Sequence, residues 1–329
     1  SDIAKLTDKA FHVYSLGKER NQDGMEIARI ARGVSHEQFE AEPSLFTIIN
    51  SNSPRKLDTP MLQGIMEMSS RNQIVMLTPF TLAGAMAPVT IAGAVVQQNA
   101  EALAGIAFTQ LVRPGAPVVY GGFTSNVDMK TGAPAFGTPE YMKAVLLGGQ
   151  LCRKYGVPYR TSNVNAANTV DAQSAYESVF SLWALTQGGG NFIMHSAGWL
   201  EGGLSMGYEK FIMDVDQAGM MHTLLNGVDL SDNGQAMDAI RDVGPGKHFL
   251  GCAHTQANFE SAFYRSPITD NNSFEQWEAE GSRDLTQRAN ALWKKQLAEY
   301  EAPAMDVATD EAILDYMNRR KASFPDSNV

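Results

Sequence analysis

Short apolar runs alternate with longer amphipathic ones along most of this chain. Residues 11–16, 45–50, 74–77, 117–121, 157–162 and 191–195 each read as a β-strand, and 248–250 as a weaker seventh. Helical patterns fall between them, at 23–32, from Thr59-Pro60, over 88–111, from Thr138-Pro139, and at 169–186 and 207–225. Thr59-Pro60 and Thr138-Pro139 each set a cap residue before a proline, which suits a helix start. Pro114-Gly115, Gly188-Gly189-Gly190 and Asn226-Gly227 mark helix ends. A helical pattern at 2–10 precedes the first strand. The tail carries a short helix at 255–264, a long charged one at 273–300 and a last one at 310–321, with 323–329 expected to fray.

Strand, polar loop and helix recur every roughly 30–45 residues, the pattern of βαβ units around a parallel sheet. The strands are apolar throughout, as they are when helices cover the sheet. Small polar and glycine residues follow nearly every strand, whereas an open sheet would gather them at one switch point. The fold expected is therefore a TIM (β/α)8 barrel with extra C-terminal helices. Only six or seven strands are visible, so an N-terminal strand is expected to be missing from the chain. The barrel domain is placed at residues 1–254 and the helical extension at 255–329.

Composition narrows the function classes. With 329 residues, 44% of them hydrophobic, the chain can bury a large core. The net charge of -10 disfavours nucleic acid as a partner and is compatible with a small cationic substrate, although simple solubility is the plainer reading. Cys152 and Cys252 are the only cysteines, so no disulfide framework is expected and a reduced cytoplasm is the default. No run approaches the roughly 20 apolar residues of a membrane span.

In a barrel the chemistry belongs where strands end. The candidate groups there are Asn50-Ser51-Asn52, Thr78-Pro79-Phe80, the stretch from Tyr120 through Phe123 to Ser125, Ser162-Asn163-Val164-Asn165, and the stretch from His195 through Trp199 to Glu201. This set is aromatic and neutral polar and poor in Lys and Arg. Aromatic faces suit a methylated ammonium group, with Phe80, Phe123 and Trp199 as walls; ordinary loop packing is the alternative for each. His195 closes a buried strand and can be either catalytic or a core residue. Glu201 follows it, and Glu209 is either a site carboxylate or half of a surface ion pair. His248, Cys252 and His254 lie close together, but a zinc site needs further ligands, and no metal is expected. No phosphate loop, dinucleotide fingerprint or nucleophile elbow is present.

Four stretches carry a resemblance. They are Pro114 to Gly122 with Asp128-Met129-Lys130-Thr131-Gly132; Val170-Asp171-Ala172-Gln173; His195 to Glu201 with Tyr208-Glu209-Lys210; and Val243 to Gly251 with His254-Thr255. In these the chain resembles the trimethylamine methyltransferase family of corrinoid-dependent methylamine and betaine methyltransferases. The resemblance implies a TIM barrel that moves a methyl group from an amine to the cobalt of a corrinoid (cobalamin) carried by a partner protein, without S-adenosylmethionine. The trimethylamine enzymes carry pyrrolysine after the fifth strand, and counting back from Asp171-Ala172-Gln173 puts that position at Val164. An aliphatic residue there resembles the non-pyrrolysine branch and implies a quaternary amine such as glycine betaine. With both lines of reading, Asn163, Asn165, His195 and Glu201 are expected in catalysis, the two amides as shaping or orienting groups, and Phe80, Tyr120, Phe123, Val164, Trp199, Glu209 and His248 are expected at the substrate. A tertiary amine or methylated sulfur donor, or a non-catalytic barrel binding methylated osmolytes, stays open, as does homo-oligomerisation.

Overall fold

A computed structural model describes residues 2–10 and 12–324. Six parallel strands pair in chain order: β1 (His12–Tyr14), β2 (Phe46–Ile49), β3 (Ile74–Leu77), β4 (Val118–Gly121), β5 (Tyr159–Ser162) and β6 (Phe192–Met194). A helix returns the chain after each: α1 (Lys18–Arg32), α2 (Thr59–Ser70), α3 (Ile91–Val112), α4 (Pro139–Tyr155), α5 (Ala172–Gly188) and α6 (Tyr208–Leu225). The register runs straight across the sheet, with Leu77 opposite Tyr120 and Tyr120 opposite Tyr159.

The helix starts follow from local chemistry. Asp58, one residue before Thr59, caps α2 by accepting the Met61 N–H at 2.9 Å. Thr138 caps α4 ahead of Pro139. Asp171 and Ser174 form a reciprocal capping box that starts α5 at Ala172, not at 169. Gly156 and Gly189 end α4 and α5 in the left-handed conformation that a side chain disfavours.

Alternation along the strands divides two cores. Ile49, Val75, Leu77, Tyr120 and Tyr159 face the helices and pack on Ile65, Met68, Tyr141, Leu182 and Leu185. Phe46, Met76 and Val119, with Ile48, Phe192 and Met194, fill the inside of the curl. Ile65 is fully buried, so its truncation to Ala would cost about 2–5 kcal/mol.

The six-strand sheet is a curled half-barrel and not a closed barrel. Among the described residues no pairing joins β6 to β1. The expected seventh strand at 248–250 is a turn, with Leu250 82% exposed, so it has no sheet to join. The long helix expected at 273–300 is two helices, Phe274–Ala279 and α7 (Leu285–Ala298), because Gly281 and Ser282 take positive φ and Asp284 starts a new capping box. The helix expected at 255–264 covers Ala253–Asn258 only. Phe11 and residues 325–329 lie outside the described residues.

The tail packs on the outside of the curl. Helix α7 lies on α6 through Ile212, Met213 and Ala289. Helix α8 (Val307–Ser323) returns to α1, where Arg320 and Tyr316 both donate to Asp23 Oδ1 at 2.6 Å. No described helix is long and apolar enough to cross a membrane.

Candidate functional site

Inside the curl, at the C-terminal ends of the strands, lies a cavity of about 310 Å³, at the small end of ligand pockets. Phe80 follows β3, Phe123 follows β4, and Phe136 comes from the loop between β4 and α4. Trp199 sits in the loop after β6. These four rings form one continuous wall: Phe80–Phe123 at 5.1 Å, Phe123–Phe136 at 5.7 Å and Phe136–Trp199 at 6.2 Å between centroids. His12, Asn50, Thr78, Arg160 and His195 supply the polar part of the lining. Tyr14, also in the lining, is 76% exposed, so the cavity opens to solvent beside β1.

Arg160 is the residue that sequence reading missed. It is only 2% exposed, and its Nε and Nη1 have no hydrogen-bond partner. Its guanidinium carbon lies 5.6 Å from the Phe123 ring centroid, a cation–π contact. Burial pushes its pKa down to about 10, which leaves it protonated at neutral pH. No carboxylate lines the cavity with it. A lone arginine within an otherwise neutral strand was the available signal.

His195 takes a left-handed φ of 54°, where a non-glycine residue is strained, and directs its ring into the cavity against Trp199, 4.3 Å between centroids. Its Nδ1 lies 3.2 Å from Ser162 Oγ. Burial, then the charges of Arg160 and His12, drive its pKa down to about 3, so it is neutral in ordinary conditions. His12 is shifted down by burial and by Arg160 as well.

Of the residues proposed from sequence, Phe80, Phe123, His195 and Trp199 line this cavity. Asn163 and Asn165 do not; both are fully buried behind it and shape the walls. Asn163 Nδ2 donates to the Ser196 carbonyl at 3.0 Å. The Asn165 carbonyl accepts the Trp199 indole N–H at 3.0 Å and so aims that ring. Val164 is fully buried, in the core cluster that holds Leu182 and Leu185 as well as Phe123 and Phe136, and it is not part of the cavity lining. Tyr120 also faces the helices, where its hydroxyl donates to Asn99 Oδ1. Strand alternation places Val119 inside the curl and Tyr120 outside. Glu201 is exposed in the turn after Trp199. Glu209 is tied to the tail, accepting from Asn290 at 2.6 Å and Trp293 at 2.9 Å. His248 is exposed and away from the cavity.

Behind Trp199 sits a second polar cluster. Lys210 and Asp214, one turn apart on α6, are buried to 0% and 1% exposure. Lys210 Nζ reaches both Asp214 oxygens at 2.5 and 2.6 Å and Ser178 Oγ at 2.7 Å. Asp214 Oδ2 accepts the Gly198 N–H at 2.9 Å, next to Trp199. Burial pushes the Lys210 pKa down and the Asp214 pKa up, and each partner opposes the other's shift. Among the described residues no group of three His, Cys, Asp or Glu is arranged to hold a metal.

Comparison with known proteins fits this geometry. The sequence model of the trimethylamine methyltransferase (MTTB) family matches residues 2–325. A glycine betaine methyltransferase from Desulfitobacterium hafniense is 39% identical over 317 residues, covering 96% of this chain and 66% of that protein. Trimethylamine methyltransferase MttB2 from Methanosarcina mazei is 29% identical over 322 residues, covering 96% of this chain and 64% of that protein. MttB from Methanosarcina barkeri is 28% identical over 302 residues, covering 91% and 60%. The chain thus spans less than two thirds of the length of each of these relatives. By the extent of the family match and its identity to these proteins, the chain belongs to the trimethylamine methyltransferase family.

Proposed function

We propose that the protein moves a methyl group from a quaternary amine of the glycine betaine kind to the cobalt of a corrinoid carried by a separate protein. The observation that carries this reading is the cavity's lining: four aromatic rings in one continuous wall, the surface that suits a methylated ammonium. His195, with its pKa near 3, is neutral at neutral pH and is not an acid for an amine. A tertiary amine would depart as an amide anion unless protonated. A quaternary ammonium needs no such help. Its C–N bond breaks with the electron pair remaining on nitrogen, and a neutral tertiary amine leaves.

A corrinoid docked at the cavity mouth would supply a cobalt(I) nucleophile to accept the methyl group. The chain's own part is to bind, orient and exclude water. Phe80, Phe123, Phe136 and Trp199 present ring faces to the methylated ammonium and keep its surroundings dry. The open side at Tyr14 admits the acceptor, and the curled sheet is read as part of a TIM-like barrel. Glycine betaine enters as the donor because a 39% identical relative is named for it.

Incubation with glycine betaine and cobalt(I) cobalamin should yield methylcobalamin, seen by absorbance, and dimethylglycine in equal amount, seen by mass spectrometry. Demethylation of tertiary amines or sulfonium compounds, with every quaternary amine untouched, would overturn the reading.

A further inference from the structure

A positively charged substrate meets a difficulty in this cavity, because Arg160 is already there and unpaired. The guanidinium is not alone in lacking a partner. Thr78 Oγ1 and His12 Nε2 are also buried without hydrogen bonds, and all three residues line the same space. Buried polar atoms are almost always satisfied, and an unpaired charged one is the most expensive exception. Three such residues around one cavity therefore point to a ligand that completes them.

Backbone geometry brings the first two together. Gly121 on β4 pairs with Arg160 on β5 and lies beside Thr78 at the end of β3. A Cβ on Gly121 would stand 2.1 Å from Thr78 Oγ1. The missing side chain leaves the hydroxyl and the guanidinium facing common space. His12 reaches it from the opposite edge of the sheet, its ring stacked on Phe46 at 5.4 Å.

We infer that Arg160, Thr78 and His12 form a carboxylate subsite, so that the substrate is a zwitterion: a quaternary ammonium that carries its own carboxylate. This rests on the quaternary-amine reading and adds what selects among such amines. Arg160 supplies the countercharge and N–H donors, Thr78 an O–H and neutral His12 an N–H. The carboxylate cancels the repulsion that Arg160 would exert on the ammonium, and it fixes which end of the molecule faces the aromatic wall. A trimethylammonium compound without an acid group leaves all three residues unpaired.

The test is calorimetric binding of three ligands of similar shape to the protein and to Arg160→Met and Thr78→Val. Glycine betaine has both charges, choline lacks the carboxylate, and 3,3-dimethylbutyrate lacks the ammonium. The parent protein should bind betaine at least about 30-fold more tightly than choline, the scale of a buried charge-assisted contact. Arg160→Met should collapse that preference to near unity mainly by weakening betaine, and Thr78→Val should reduce it by about 5- to 10-fold. A betaine-to-choline preference that survives Arg160→Met in a folded protein overturns the subsite and leaves the quaternary-amine reading standing. Arg160-dependent binding of 3,3-dimethylbutyrate, with no binding of either ammonium compound, keeps the subsite and overturns that reading. Binding of none of the three overturns both.

Discussion

Two buried cations lie on either side of the Trp199 loop, and the protein treats them in opposite ways. Lys210, fully buried, is held by Asp214, Ser178 and Asn165. Arg160, almost as removed from solvent, has unpaired nitrogens and a cation–π contact with Phe123 in place of a countercharge. Desolvation penalises both. In the lysine cluster the penalty is answered within the chain, and the result is a fixed loop: Asp214 holds the Gly198 N–H, and Asn165 holds the Trp199 indole. At Arg160 nothing within the chain answers it. A buried charge that is satisfied maintains shape; one left unsatisfied beside a cavity is available to a ligand.

Stability measurements can break this comparison most directly. Lys210→Met leaves Asp214 buried without its countercharge and should cost about 3–5 kcal/mol in denaturant unfolding. Adding Asp214→Asn should restore part of that loss, because the unpaired charge goes while a side-chain oxygen stays to accept the Gly198 N–H. If the single and double variants are equally unstable, the pair is not what holds the region.

Arg160→Met should behave differently, unfolding within about 1 kcal/mol of the parent or at higher denaturant. It removes an unpaired buried charge and gives up only the contact with Phe123. A loss as large as that of Lys210→Met would erase the distinction between the two cations.

Acid sensitivity gives the most specific signal. The unfolded His195 imidazole takes up a proton near pH 6.5, whereas the folded one resists until about pH 3. Between those values the unfolded state holds more protons, so stability falls as the pH drops below about 6.5 and recovers as it rises. The contribution is at most about 1.4 kcal/mol per pH unit. His12 is shifted in the same direction. His195→Asn, which tolerates the left-handed backbone, should flatten the stability profile between pH 4 and 6.5. In Arg160→Met the His195 titration followed by NMR should move upward yet stay below 6.5, since burial is its larger cause. An unmoved titration would place the guanidinium away from the ring.

Much of this was legible from hydrophobic pattern. All six strands and their helices exist where short apolar runs put them, since period is a local property, although α1 starts at Lys18 and not at 23 and α5 at Ala172 and not at 169. Closure was not legible. The run at 248–250 has the composition of a strand, but pairing depends on a neighbour that no local pattern reports. The aromatic wall was readable because Phe80, Phe123 and Trp199 stand at strand ends, whereas Phe136, from a loop insertion, carried no such mark. The amides Asn163 and Asn165 looked like site residues because polar groups at a strand end usually are. Here Ser174, Ser178 and Lys210, distant in the chain, arrive to bind them.

The sequence by itself determined the parallel strand–helix order and the placement of aromatic residues where strands end. These follow from periodicity, capping and residue type, which act over a few positions. Only the tertiary structure decided which way each strand-end side chain faces and which buried charge finds a partner. The facing of Tyr120 toward the helices depends on strand register, and the isolation of Arg160 depends on what other strands bring beside it. Both are set when the sheet curls, because burial and electrostatic pairing are properties of neighbours in space.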